Sequence, residues 1–359
     1  MAQTSPVYYL GDVVEEIAAA QGLPIDPSRR PFRSGSEQNG PMLRPDQDPY
    51  YVLLYPGSFN PPHRGHKAIL NHVLNHTGVG FHFVAAFIVF ANDEKLVHKY
   101  RREEKPMVLS KDKRATLWRE SDIPRDRVWV FDGSERAWRG LRAQLQQTLQ
   151  EARIDLSFVL LMGPDWMNSI APTDPRDLGC FEAICSDISR PVDFRCPSTL
   201  RQLSGCSMWE PCETPSGTNA QDSAAEVGRG EVLGHRSTGK TANPVNRRLA
   251  QDGSPTHSGI RAAGMWSCST FKGPSRYYYF LPAPLSGTER GEAPSSTEIR
   301  RAIAVHWDRL SEKDLDSALS PSTLMKYAIE GGPYSVPVVT PKFEGHEVRK
   351  AKGHELANW

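Results

Sequence analysis

Two histidines three residues apart, His63 and His66, stand where a glycine-containing turn gives way to a helical pattern. They close the run Gly57-Ser58-Phe59-Asn60-Pro61-Pro62-His63-Arg64-Gly65-His66. The first N–H groups of a helix have no intrahelical partner and face the preceding loop, so this layout suits an anion, a phosphate above all. A spacing of three lets both imidazoles share one helix face. An imidazolium there adds positive charge to an already positive helix end, which is unfavourable unless an anion shares the site. The basic residues Lys95, Lys99, Arg101 and Arg102 could also bind phosphate, although a run of charge is more often a solvated loop.

Other chemistry-bearing residues carry less. His72, His76, His82 and His98 stand alone and read as surface or core side chains. The stretch Gly234 to Thr241 fits GxxxxGK[ST], yet that motif works only when a buried strand delivers the loop and a helix receives it. Here the preceding residues are short and polar, and Pro244 follows where a helix should propagate. Cys180, Cys185, Cys196, Cys206, Cys212 and Cys268 are scattered, with gaps wider than zinc sites favour and no histidine pair to complete a set. They read as reduced thiols of an intracellular protein.

The elements that must position the histidines are legible. Tyr51 to Tyr55 is an apolar, β-favouring run of the length of a strand buried on both faces. Pro56-Gly57 and Asn60-Pro61-Pro62 end it, and Ile69, Leu70, Val73 and Leu74 form the apolar stripe of the following helix. Further strands are expected at 81–90, 128–131, 156–162, 181–185 and 277–281, and helices at 110–119, 137–153, 295–307 and 322–329. Such alternation predicts an α/β fold: a Rossmann-like parallel sheet with helices on both faces. Residues 1–49 read as a disordered lead-in with a short helix near Val13 to Ala20, residues 197–272 as a long disordered insertion, and 333–359 as a polar, basic tail.

A formal charge of +1 over 359 residues offers no bulk attraction to nucleic acid or a membrane surface. No stretch approaches the ~18 apolar residues of a membrane span, and the N-terminus lacks a secretory leader. An intracellular protein, cytoplasmic or nuclear, is expected.

GSFNPPHRGH resembles the HxGH signature of a nucleotidyltransferase superfamily with a Rossmann-like fold. Its members include nicotinamide and nicotinate mononucleotide adenylyltransferases, pantetheine-phosphate adenylyltransferase and cholinephosphate-type cytidylyltransferases. Pro294-Ser295-Ser296-Thr297-Glu298-Ile299-Arg300 resembles the ISSTxxR signature, with proline in place of the usual isoleucine or valine. Gly163-Pro164-Asp165, after a strand, is similar to the GxD found near the adenosine. The three occur in family order, and the resemblance covers residues 50–332, insertion excluded. Within the superfamily, GSFNPPH and the stretch from Gly163 to Ile170 look most like the pyridine mononucleotide adenylyltransferases.

The resemblance implies in-line attack of an acceptor phosphate oxygen on the α-phosphorus of ATP, with release of pyrophosphate. It implies Mg²⁺ carried with the triphosphate and no protein-ligated metal. Catalytic roles fall to His63, His66 and Arg300. Nucleotide contacts fall to Gly57, Ser58, Phe59, Gly65, Gly163, Asp165, Ser296 and Thr297, and Arg114 is a candidate for the acceptor phosphate; Lys95, from the basic segment and not from the resemblance, is a second candidate. The acceptor so implied is nicotinamide or nicotinate mononucleotide, in NAD biosynthesis. Two alternatives stay open: a cytidylyltransferase acting on an alkyl phosphate, and a non-catalytic nucleotide-binding protein of the same fold.

Overall fold

In a computed structural model, residues 6–23, 25–33, 40–75, 81–103, 107–196, 198–212, 264–283 and 294–337 are described. The chain opens with β1 (Tyr8–Tyr9), α1 (Leu10–Ala20) and β2 (Met42–Leu43), followed by β3 (Tyr50–Gly57), α2 (Arg64–Leu74) and β4 (Phe83–Phe90). Then come α3 (Asp93–Tyr100), α4 (Lys111–Arg119), β5 (Val128–Phe131), α5 (Glu135–Glu151), β6 (Leu156–Met162) and β7 (Glu182–Ser186). The chain continues through β8 (Glu210–Pro211), β9 (Trp266–Ser269), β10 (Tyr277–Leu281), α6 (Ser296–Val305) and α7 (Pro321–Gly331).

The main sheet runs β5-β4-β3-β6-β7-β10-β9-β8. Every pairing from β5 to β10 is parallel, and β9 and β8 are added antiparallel at one edge. Central strands buried on both faces explain their unbroken apolar runs. Side chains alternate between the faces, as the pleat dictates. Val52 and Leu54 join the core that holds α1 and α5, whereas Leu53 and Tyr55 join the core that holds α2 and α4. Helices thus cover both faces, as expected. A third cluster, including Met107, Leu117, Ile299, Leu315 and Leu324, seats α6 and α7 beside α4. No helix among the described residues is long and apolar enough to cross a membrane.

Three expectations need correction. The lead-in is not all outside the fold: Leu10, Val13, Val14, Ile17 and Ala18 line one buried stripe of α1, and β1 pairs with β2. Phe32 is 1% exposed and stands edge-on to Phe87 at 5.3 Å. Its apolar residues are few, but Phe32 and Leu43 are buried in the core with the stripe of α1. The insertion is also shorter than 197–272. Leu200, Leu203, Cys206 and Trp209 are buried, Trp209 stacks on Phe194 at 5.3 Å, and β8 and β9 extend the sheet. Residues 213–263, with the Gly234 to Thr241 stretch, lie outside the described residues. Finally, the charged segment after β4 is helical in α3, held by a buried Leu96–Tyr100 pair at i, i+4.

Candidate active site

The site lies beyond the carboxyl ends of the parallel strands, where open α/β sheets bind their ligands. β3 ends at Gly57, and the chain turns through Ser58 to Pro62 before His63 begins α2 as its N-cap. Phe59 makes that turn at φ 46°, a left-handed conformation that non-glycine residues rarely adopt. Its ring folds back over Gly57, where an added Cβ would meet ring atoms at 2.5–2.8 Å. Only glycine fits there. The ring is buried edge-on against His66 at 5.0 Å and Trp118 at 5.3 Å, so burial offsets the backbone strain. Phe59, expected to contact the nucleotide, does line the cavity, and its side chain is the hub that seats His66.

Two buried polar side chains hold the loop from behind. Asn60 donates from Nδ2 to the Met107 carbonyl at 2.8 Å and accepts from the Leu109 N–H at 2.9 Å. Arg114 is 0% exposed. It donates to the carbonyls of Leu109, Ser58 and Ala91 at 2.8–3.0 Å and to Asp93 Oδ1 at 2.7 Å. It does not line the cavity and has no face left for a substrate phosphate. The expectation of an acceptor-binding Arg114 is therefore corrected: this arginine clamps the ends of β3 and β4 to α4.

The histidines meet as a pair. The His63 N–H donates to His66 Nδ1 at 3.2 Å, and the rings stack with centroids 3.6 Å apart. Because His66 Nδ1 accepts, its neutral tautomer carries the proton on Nε2, a donor. Burial pushes the His63 pKa down to about 4, helped by the nearby Arg190 charge. Burial, then His63 and Arg190, holds His66 well below its usual range. Both rings are neutral at pH 7, so the loop escapes the repulsion that an imidazolium would meet at a helix N-terminus. His63 Nδ1 is buried without a hydrogen-bond partner. Gly65 makes room for this ring, since an added Cβ would press on it at 3.1 Å and on Pro294 at 3.4 Å.

The second motif closes the opposite wall. Ser295 caps α6 by accepting from the Glu298 N–H at 3.1 Å, while the Ser296 hydroxyl donates to the Pro61 carbonyl at 2.8 Å. Arg300 donates to the Asn60 carbonyl at 2.8 Å and lies 4.5 Å over the Tyr100 ring. Its outer nitrogen pairs with Glu103 at 3.3 Å. Residues 235 and 240 apart in sequence are thus bonded directly.

The walls enclose a cavity of about 1110 Å³, room enough for more than one ligand of metabolite size. Gly57, Ser58, Phe59, His63, Gly65 and His66 line one side of it, and Ser296, Thr297 and Arg300 the other. Gly163 and Asp165 contribute from the end of β6, and Lys95 from α3. Lys95 also pairs with Glu135 at 2.7 Å. Of the residues singled out by sequence, Arg114 alone lies elsewhere.

Sequence reasoning missed Arg190, Tyr100 and Glu103. Arg190 faces the cavity and pairs with the exposed Asp165. It follows β7, whose trailing loop is fixed by buried Asp187 accepting from the Ala283 N–H at 2.7 Å and pairing with Arg195. A charged residue just beyond the end of a parallel strand is a usable signal, and a strand is expected at 181–185, but the direction of the loop that turns Arg190 into the cavity is not encoded by spacing. Among the described residues no three His, Cys, Asp or Glu side chains could hold a metal ion.

No curated protein matches the sequence. Solved structures similar to the chain include Plasmodium falciparum nicotinic acid mononucleotide adenylyltransferase complexed with NaAD, at 11% identity and a TM-score of 0.40. The same enzyme complexed with APC aligns at 11% identity and a TM-score of 0.39. Each alignment covers 80% of this chain and 98% of the other. Residues 54–195, which carry the paired histidines, match the profile of the cytidylyltransferase-like family.

Proposed function

We propose that this domain is an adenylyltransferase that joins the AMP of ATP to nicotinamide or nicotinate mononucleotide and releases pyrophosphate, a step of NAD biosynthesis. The observation that carries the nucleotidyl-transfer chemistry is the convergence of His63 and His66 with Ser296, Thr297 and Arg300 on one cavity. The choice of acceptor rests on the resemblance of the Gly57–His63 and Gly163–Ile170 segments to the pyridine mononucleotide adenylyltransferases.

In this reading an oxygen of the acceptor phosphate attacks the α-phosphorus in line. A new P–O bond forms as the bond to the β-phosphate oxygen breaks, and the electron pair leaves with pyrophosphate. Such transfer asks the protein for positioning and charge stabilisation, not covalent help. His66 Nε2–H donates to a non-bridging or leaving oxygen as charge develops. His63 supplies the second donor. A polyanion within hydrogen-bond reach favours the imidazolium, so bound triphosphate opposes the burial that keeps these rings neutral. The α6 N-terminus, with Ser296 and Thr297, takes the outer phosphates, and Arg300 and Arg190 supply fixed positive charge. Gly163 and Asp165 face the adenosine. Lys95 and Lys99, on the α3 side of the cavity, are placed for the acceptor phosphate. Magnesium would be held by the triphosphate itself, where it neutralises charge on the leaving group.

The test is a substrate panel read by pyrophosphate release. ATP with either pyridine mononucleotide should support turnover, and CTP with phosphocholine should not. Turnover with CTP and phosphocholine alone would overturn the adenylyl assignment in favour of a cytidylyltransferase. Nucleotide binding without turnover on any pair would leave a binding protein.

A further inference from the structure

Arg300 is held in two different ways. Its inward nitrogen donates to the Asn60 carbonyl at 2.8 Å and reaches the Tyr100 hydroxyl at 3.4 Å, with the guanidinium 4.5 Å over the Tyr100 ring. These contacts fix the group, and its side chain is only 9% exposed. The other terminal nitrogen turns to Glu103 Oε1 at 3.3 Å. Glu103 is different in character: its side chain is 45% exposed, and it sits on the turn that follows α3, closed by its N–H donating to the Tyr100 carbonyl at 2.9 Å. Both residues line the cavity. A carboxylate therefore occupies the side of Arg300 that an incoming phosphate oxygen would need.

We propose that Glu103 competes with polyphosphate for Arg300 and so sets the affinity of the site for both triphosphate and pyrophosphate. This rests on the nucleotidyl-transfer reading of the cavity. Two anions on one guanidinium nitrogen repel each other, so the carboxylate must withdraw when phosphate binds. Its exposure makes that movement cheap, because water receives the displaced charge. Arg300 itself does not move, since Asn60 and Tyr100 hold it. A polyphosphate wins the exchange because the α6 N-terminus and the two histidines bind it at the same time. Once pyrophosphate has formed, the returning carboxylate weakens its hold and speeds release. Glu103 is thus a residue that tunes affinity, not one that touches the reacting atoms.

The experiment is calorimetric titration of the full chain and its Glu103→Gln variant with inorganic tripolyphosphate and with pyrophosphate. An exposed ion pair contributes modestly, so Glu103→Gln should bind both roughly two- to five-fold more tightly. Pyrophosphate should also become a stronger product inhibitor by a similar factor. Glu103→Asp, whose shorter side chain keeps the charge but loses reach, should fall between the two. Unchanged or weaker polyphosphate binding by Glu103→Gln, with the wild-type chain binding normally, would overturn this inference alone. If the wild-type chain bound neither tripolyphosphate nor ATP, the nucleotidyl-transfer reading would fail and this inference with it.

Discussion

Arg114→Met separates a structural arginine from a substrate-binding one. Arg114 is fully buried and donates to three backbone carbonyls and one carboxylate. Methionine keeps most of the volume and removes every donor. Breaking a buried ion pair by removing one partner costs about 3–5 kcal/mol, and each orphaned carbonyl adds to that. Asp93 is partly exposed, at 26%, and water recovers part of its loss, which places the net near 4 kcal/mol. For a domain of this size 1 kcal/mol moves Tm by about 2–4 °C, so a fall of roughly 8–16 °C is expected. Thermal melts followed by circular dichroism, with KM for the acceptor measured well below the new Tm, would decide. If the variant melts within about 2 °C of wild type but raises the acceptor KM ten-fold or more, the clamp reasoning fails and Arg114 binds substrate.

Three further outcomes follow from the same geometry. Gly57→Ala should drive a methyl into the Phe59 ring and displace His66, costing about 1–3 kcal/mol and lowering kcat; in Gly57→Ala/Phe59→Leu the two effects should be less than additive, and strict additivity would refute the contact. Phe32→Ala should destabilise by about 3–5 kcal/mol in urea melts, whereas a change under ~0.5 kcal/mol would mean that the lead-in does not pack on the sheet. Because the folded His63 pKa is pushed down to about 4 from 6.5, the unfolded chain takes up a proton that the folded chain refuses. Stability should therefore fall as pH drops from about 6.5 to 4, with His63 contributing up to about 3 kcal/mol; His63→Asn should reduce that slope while His66 keeps the rest, and an unaltered slope would refute it.

The sheet and its helices were legible because their signals are local. The apolar runs of β3, β4 and β6 and the stripes of α2 and α5 declare themselves within one window of sequence. The paired motifs of the site were legible too, since residue type and spacing carry them. What escaped depends on distant partners. α3 buries only Leu96 and Tyr100, too few for a period. Phe32 is a single apolar residue and Leu43 one of a pair in polar surroundings, and nothing nearby tells that the core receives them. β8 and β9 are two and four residues long and exist by pairing toward β10. Arg114 looked like a ligand because an arginine at the right place in a helix cannot announce that backbone carbonyls surround it. Arg190 and Glu103 enter the site through loop directions that spacing does not encode.

The central claim is that this cavity transfers a nucleotidyl group with His66 as a donor to the reacting phosphates. The sharpest test follows ATP labelled at the α- or at the γ-phosphorus, with a pyridine mononucleotide acceptor, in the wild-type chain and in His66→Ala. In the wild-type chain α-label should appear in the dinucleotide and γ-label in pyrophosphate. Turnover by His66→Ala should fall by about 10²–10³. Label from the γ position appearing as orthophosphate, or normal turnover by His66→Ala, would contradict it.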